Sequence, residues 1–153
     1  MINTIIYLEV DDVICDVKSM HNEISLGLPY SFLNPMPDAK ELFNYLQCLR
    51  HIDIQILTCV SSSDEIKEHE LKIEKKNWLD QQNLFYQTNF VRTHEEKLNF
   101  ANKNSILVDN SIECINLVEK SGGYGVLHTD STNTILKIEN IFKKIQYFIS
   151  QTT

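Results

Sequence analysis

The sequence predicts an α/β fold, in which helices flank a doubly wound parallel β-sheet. Five short apolar runs have the length and the β-branched or aromatic content of strands, and helical patterns separate them. The runs are apolar almost throughout, which is typical of parallel strands buried on both faces. Strands and helices that alternate in this way form a right-handed, doubly wound sheet.

The strands and helices are predicted in strict alternation. The predicted strands are TIIYLEV (4–10), DIQILT (53–58), LFYQT (84–88), SILVD (105–109) and YGVLH (124–128). The predicted helices lie near residues 37–50, 63–80, 94–102, 111–121 and 132–149. Apolar residues recur at the helical period in the last helix, at Ile135, Ile138, Ile141, Phe142, Ile145, Phe148 and Ile149.

Two helix ends carry their own sequence signals. Ser62 and Glu65 have the spacing of a capping box at the start of a helix. The three glycines of SGGYG, residues 121–125, close a helix and precede a strand, which is the reverse of the order in a dinucleotide-binding fingerprint. Gly122 is therefore predicted to stop a helix in the left-handed conformation.

The chain is predicted to form one domain over residues 1–153. Its length suits a single core, and no repeat or interdomain linker interrupts it. All three prolines fall between the first strand and the first long helix. The segment of residues 16–36 is therefore expected to be irregular, and it is too short to be a domain of its own.

Composition excludes several classes of partner. Fourteen Lys and Arg against twenty-one Asp and Glu give a net charge of −7, which argues against binding a nucleic-acid polymer. The densest basic run, KIEKKNW, is interleaved with Glu and is interpreted as a solvated helix face. No apolar run approaches the roughly 20 residues of a membrane span, so we expect no membrane partner. The cysteines form no CxxC pair, which favours reduced thiols in a cytoplasmic protein. We expect a monomer or a homodimer.

Polar side chains gather at the predicted carboxyl ends of three strands. They are Glu9, Asp11 and Asp12 after the first strand, Thr58 at the end of the second, and Asp109 with Asn110 at the end of the fourth. Ligands of open parallel sheets bind in the crevice at this edge. Carboxylates suit Mg²⁺, whereas a hydroxyl and Lys97 at a helix start suit a phosphate. Each residue alone reads as a turn or surface residue, so the hypothesis rests on their joint placement.

Five segments together resemble the haloacid-dehalogenase (HAD)-like superfamily, and within it the 5'(3')-deoxyribonucleotidase-like branch. They are LEVDDVICD, ILTCVSS, KIEKKNWLDQQ, HEEKLNFA and SILVDNSIECINLVEKSGGYGVLH, which together span residues 4 to about 128. The resemblance implies a HAD-like, Rossmann-like sheet with a reduced cap at residues 16–36. It also implies a Mg²⁺-dependent phosphohydrolase that acts on a small phosphomonoester, such as a (deoxy)nucleoside monophosphate.

The resemblance also implies a role for each site residue. Position 9 would be the nucleophile, and Asp11 the general acid and base. Thr58, Cys59 and Lys97 would bind the phosphate. The Mg²⁺ ligands would be Glu9, Asp109 and the backbone carbonyl of Asp11, so that the ion is held by the first and fourth strands.

Three positions depart from the family pattern. Asp12 stands where the branch prefers Gly, and Asn110 replaces a second Asp. Glu9 replaces the nucleophilic Asp, and its extra methylene displaces the carboxylate by about 1 Å, a shift that can cost ~100-fold in rate. A register with Asp11 as nucleophile fails, because Val13 would then be the acid and base.

Glu9 therefore leaves two functional hypotheses open. One is an active phosphohydrolase. The other is a catalytically impaired HAD-like protein that binds a phosphorylated ligand or partner without turnover. A third interpretation, in which the acidic residues only cap turns, does not explain why four motif positions converge on one sheet edge.

Overall fold

The computed structural model describes residues 4–25 and 27–151, and within these the side chains of residues 23, 25 and 147–151 are left out. The predicted apolar positions Phe148 and Ile149 therefore lie outside the described side chains. Five parallel strands form one sheet in the order β3-β2-β1-β4-β5. The strands are β1 Thr4–Leu8, β2 Ile52–Cys59, β3 Gln87–Val91, β4 Ser105–Asp109 and β5 Tyr124–Leu127.

Five α-helices and two 3-10 helices connect and follow the strands in the described ranges. The α-helices are α1 His21–Ser25, α2 Ala39–Cys48, α3 Glu65–Gln81, α4 Ile112–Lys120 and α5 Ser131–Gln151. The 3-10 helices are Tyr30–Phe32 and Glu95–Phe100, so the helix predicted at 94–102 is a shorter 3-10 element. The doubly wound α/β prediction is confirmed.

The third strand lies three residues later than predicted. Leu84 has the apolar character of a strand residue, but it is buried in the turn that ends α3, where its backbone N–H donates to Leu79 at 2.9 Å. The strand itself pairs with β2 from Gln87 to Val91 and forms an edge of the sheet. An edge strand needs fewer apolar residues than a central one, so the apolar run does not mark the position of β3.

Helix ends are fixed by local chemistry. The predicted capping box at Ser62 is wrong, because Asp64 is the N-cap of α3 and its carboxylate accepts from the backbone N–H groups of Ile66 and Lys67. Ser62 instead accepts from the backbone N–H of Asp64 at 3.1 Å. Gly122 has a φ of +87°, as predicted for a left-handed helix stop.

Two apolar clusters cover the two faces of the sheet. Successive residues of β1 alternate between them: Ile6 and Leu8 face one cluster, and Tyr7 faces the other. The larger cluster packs against α2, α3 and α5, and the smaller one against α4. No helix in the described ranges is long and apolar enough to cross a membrane.

The segment predicted as a reduced cap is short and mostly irregular. It runs from the turn after β1 through α1 and the 3-10 helix Tyr30–Phe32. A backbone hydrogen bond from Asp16 to Asn34 at 2.9 Å joins the two ends of the segment, and one from Met36 to Ile14 at 2.8 Å attaches it to the domain. The indole N–H of Trp78 on α3 donates to the carbonyl of Leu33 at 2.9 Å, so the segment is also fixed to a helix.

Candidate active site

Three predicted site residues meet at the carboxyl edge of the central strands. Glu9 follows β1, whose neighbours are β2, which carries Thr58, and β4, which ends in Asp109. The backbone N–H of Glu9 donates to Val108 at 3.0 Å, so β4 sets the position of Glu9. All three residues are buried, with at most 5% of each exposed. Buried carboxylates require compensating charge.

Lys97 supplies one of the compensating charges. Its ammonium lies between two carboxylates, 2.5 Å from Glu9 Oε2 and 2.6 Å from Asp109 Oδ2, and the residue is 1% exposed. Burial by itself lowers the pKa of Lys97, but the two carboxylates outweigh burial and the pKa is raised. Lys97 is therefore a permanent cation that links β1 to β4.

Both oxygens of the Glu9 carboxylate accept hydrogen bonds. Oε1 accepts from the backbone N–H of Val10 at 2.7 Å, and Oε2 accepts from Lys97. Burial raises the pKa of Glu9, but the nearby charges of Lys97 and Lys75 outweigh burial, so the pKa is lowered. Glu9 is therefore ionised, and both of its oxygens are in use.

Lys75 lies at the site, which corrects a prediction from the sequence. The run KIEKKNW is predicted to be a solvated helix face, yet Lys75 is 1% exposed. Its ammonium donates to Asp11 Oδ2 at 2.8 Å, to the Thr58 hydroxyl at 2.9 Å and to the Cys59 carbonyl at 3.0 Å. The signal was the spacing to Trp78: a residue three positions before a buried tryptophan lies on the same, inward face of the helix.

Asp11 is the accessible carboxylate among the three predicted acidic site residues. Its side chain is 37% exposed, against 6% for Glu9 and 2% for Asp109. The Tyr30 hydroxyl of the cap segment donates to Oδ1, and Lys75 donates to Oδ2. Burial raises the pKa of Asp11, and the charge of Glu9 adds to this, so the pKa is raised although Lys75 opposes the shift.

Thr58 and Cys59 lie at the site but face the protein. The Thr58 hydroxyl accepts from Lys75 and is one of the groups that stabilise ionised Glu9. The Cys59 thiol donates to the carbonyl of Arg92 at 3.3 Å, and only its carbonyl oxygen meets Lys75. The phosphate-binding role predicted for these two residues stays a prediction.

The predicted Mg²⁺ ligands do not fit a metal in this arrangement. The ammonium of Lys97 fills the position between Glu9 and Asp109. The remaining oxygen of Asp109 accepts from the backbone N–H of Ser111 at 2.9 Å. Within residues 4–25 and 27–151, no three His, Cys, Asp or Glu side chains are arranged to hold a metal ion.

A solved structure shares this fold. It is titled D,D-heptose 1,7-bisphosphate phosphatase from Burkholderia thailandensis, and it matches 89% of this chain and 98% of its own with a TM-score of 0.59 and 10% sequence identity. No protein-family model and no curated protein matches the chain. The match confirms the predicted α/β fold with a parallel sheet flanked by helices, and an identity of 10% shows the fold alone.

Proposed function

We propose that this chain binds the phosphate of a small phosphomonoester at the carboxyl edge of its sheet and hydrolyses the ester. The observation that carries the proposal is the environment of Asp11. Its carboxylate is accessible, and Lys75 and Tyr30 hold it in one orientation beside the buried pair of Glu9 and Lys97. The fold shared with a phosphatase supports the same reaction class.

Asp11 is the proposed general acid and base. Its raised pKa means that it retains a proton at higher pH than an ordinary aspartate does, which suits the transfer of a proton to a leaving oxygen. Glu9 is the proposed nucleophile: one carboxylate oxygen bonds to phosphorus, the ester P–O bond breaks, and the leaving oxygen takes the proton from Asp11. Water then hydrolyses the acyl phosphate, with Asp11 as the base.

A second candidate function is binding without turnover. The observation in its favour is that both oxygens of Glu9 already accept hydrogen bonds, from Val10 and Lys97. An attack on phosphorus that moves Oε1 away from the N–H of Val10 loses a buried hydrogen bond, at a cost of about 1–3 kcal/mol. In this second function the chain is a catalytically impaired protein that holds a phosphorylated ligand or partner.

The substrate class and the cofactor follow from the resemblance rather than from the site. A (deoxy)nucleoside monophosphate is the proposed example of a small phosphomonoester. The resemblance implies magnesium as the cofactor, but the residues present do not fit a metal, because Lys97 takes the place between Glu9 and Asp109, and we assign the ion no step. Hydrolysis with Mg²⁺ and with a chelator tests whether a metal takes part.

The variant Glu9→Asp separates the two functions. The shorter side chain removes the misplacement of about 1 Å, so we expect the natural protein to hydrolyse p-nitrophenyl phosphate slowly and the variant to have a kcat about 100-fold higher. The control is Asp11→Asn in both backgrounds, which removes the proton donor and is expected to abolish hydrolysis. Phosphate binding is measured in parallel by calorimetry.

The outcomes of this experiment are distinct. Activity of the variant alone, with phosphate bound by the natural protein, supports binding without turnover. Equal activity of both proteins shows that Glu9 is a competent nucleophile. Absence of both hydrolysis and phosphate binding overturns both functions.

A further inference from the structure

Tyr30 reaches from the cap segment to the proposed general acid. Its hydroxyl donates to Oδ1 of Asp11, and the residue is 6% exposed. The side chain of Asp11 is 37% exposed, so Tyr30 contacts one carboxyl oxygen while the carboxyl stays open to a ligand. The proposed chemistry uses the proton of this carboxyl, and it assigns the hydroxyl of Tyr30 no part in moving that proton.

Three contacts with helix α3 fix the position of Tyr30. Its backbone N–H donates to Glu74 Oε2 at 3.0 Å, and its ring packs edge-on against Trp78. The ammonium of Lys75 lies 5.4 Å from the centre of the same ring, within the range of a cation–π contact. Tyr30 is therefore held at a set position relative to Lys75, which is the other donor to Asp11.

Lys75 determines which oxygen of Asp11 carries the proton. An ammonium has three donors and no acceptor, and those of Lys75 go to Asp11 Oδ2, to the Thr58 hydroxyl and to the Cys59 carbonyl. The carbonyl oxygen of a carboxylic acid accepts a hydrogen bond more strongly than its hydroxyl oxygen does. In neutral Asp11, Oδ2 is therefore the carbonyl oxygen, and the proton is on Oδ1, the oxygen beside the Tyr30 hydroxyl.

The hydroxyl of Tyr30 stabilises Asp11 most strongly after the proton has left. Burial and the charge of Asp11 raise the pKa of Tyr30, so the hydroxyl keeps its own proton and remains a donor when Asp11 ionises. The hydrogen bond becomes charge-assisted, and roughly twice as strong, once the proton of Oδ1 has passed to the leaving oxygen. A contact that strengthens along the reaction lowers the barrier, whereas a contact of constant strength does not.

We infer that Tyr30 is a positioning residue for proton transfer: it fixes Oδ1 of Asp11 and stabilises the carboxylate that forms as the leaving oxygen is protonated. The inference rests on the proposed function and deepens it, because it makes the cap segment part of the catalytic step. The proton passes from Oδ1 to the leaving oxygen as the ester P–O bond breaks. Tyr30 acts only through Asp11.

Tyr30→Phe tests the inference with two esters of similar size. Benzyl phosphate releases an alkoxide, which must be protonated as it leaves, whereas the nitrophenolate of p-nitrophenyl phosphate leaves without a proton. We expect the variant to lower kcat/KM about tenfold for benzyl phosphate and to change it less than about twofold for p-nitrophenyl phosphate. We compare kcat/KM because it reports the cleavage of the ester and excludes the later hydrolysis of the acyl phosphate.

The substitution removes only the hydroxyl of Tyr30. The phenyl ring keeps its packing against Trp78 and Lys75, and urea unfolding checks that the variant folds. Tyr45→Phe is the matched control, because the Tyr45 hydroxyl donates to another carboxylate, Glu139 Oε1 at 2.6 Å, between α2 and α5, which carry no predicted site residue. This control should leave the ratio of the two kcat/KM values unchanged.

The outcomes separate this inference from the proposed function. Both tyrosine variants are made in the natural protein and in Glu9→Asp. A loss confined to benzyl phosphate in Tyr30→Phe supports the inference. An equal loss on both esters, which a purely structural role predicts, overturns the inference and leaves the proposed function in place. No loss, or the same selective loss in Tyr45→Phe, has that same consequence. If neither the natural protein nor Glu9→Asp hydrolyses either ester, the proposed hydrolysis fails, and the inference fails with it.

Discussion

The ammonium of Lys75 donates to oxygens of three different residues, Asp11, Thr58 and Cys59, in an environment that is closed to solvent. It also lies 5.4 Å from the centre of the Tyr30 ring. Lys75 thus joins α3 to the ends of β1 and β2 and to the cap segment. Its position makes the orientation of Asp11 depend on a helix that contributes no acidic group to the site.

Lys75→Met tests this role at the scale of one residue. Methionine fills the space but removes the ammonium that donates to the Thr58 hydroxyl and to Asp11 Oδ2, so we expect a loss of about 2 kcal/mol in the free energy of unfolding and a loss of phosphate binding. Urea unfolding and calorimetry provide the two measurements. The control Lys76→Met removes only an exposed pair with Asp80 and should change stability by less than about 0.5 kcal/mol.

The sequence patterns predicted which residues lie at the site better than they predicted the hydrogen bonds and ion pairs between them. Glu9, Asp11, Lys97 and Asp109 lie together, as their positions at strand and helix ends predicted. The pattern could not show that Lys97 would occupy the place assigned to Mg²⁺. That outcome depends on the reach of one side chain across two strands, which no spacing along the chain encodes.

At the scale of the element, helix α3 shows how local and tertiary signals differ. Its start is determined by which nearby side chain reaches the free N–H groups of the first turn, and Asp64 does so instead of Ser62. Its face is determined by tertiary packing, which buries Trp78 and Leu79. Strand β3 shows the same difference between local and tertiary signals. It lies at the sheet edge, where polar residues are tolerated, so a prediction based on an apolar run places it too early in the chain.

Asp64→Ala is the matching prediction for this element. Loss of the capping carboxylate exposes the first N–H groups of α3, so we expect the free energy of unfolding to fall by about 1 kcal/mol. Thermal and urea unfolding measure the change. Ser62→Ala should cost clearly less, and the reverse ranking of the two variants would show that the capping box predicted from the sequence is the correct one.

At the scale of the whole molecule, buried charge makes global stability depend on pH. The pKa of Glu9 is lowered below the ordinary value of a glutamate, because the charges of Lys97 and Lys75 outweigh burial, so its contribution to stability is present above that ordinary value and is lost as the pH falls through the lower folded-state pKa. The pKa of Asp11 is raised above 3.8, because burial dominates. The ionisation of Asp11 therefore lowers stability as the pH rises through its folded-state pKa.

These two carboxylates should therefore change the acid limb of the stability curve in opposite directions. We expect Glu9→Gln to reduce the rise in the free energy of unfolding below about pH 4.3, the unfolded-state pKa of a glutamate. We expect Asp11→Asn to remove the fall in that free energy that begins above about pH 3.9, the unfolded-state pKa of an aspartate. Urea unfolding at a series of pH values measures both slopes, and slopes that change in the same direction would contradict the two pKa shifts.

Trp78 is the single tryptophan of the chain, and it lies on α3, the helix that carries Lys75, where it contacts the segment of residues 30–33. Its ring meets Tyr30 edge-on with 6.4 Å between ring centres, and its N–H is bound to Leu33. Any displacement of residues 30–33 changes the surroundings of the one indole in the protein. The molecule therefore contains a native fluorophore whose emission reports the state of the segment that touches Asp11, without any label.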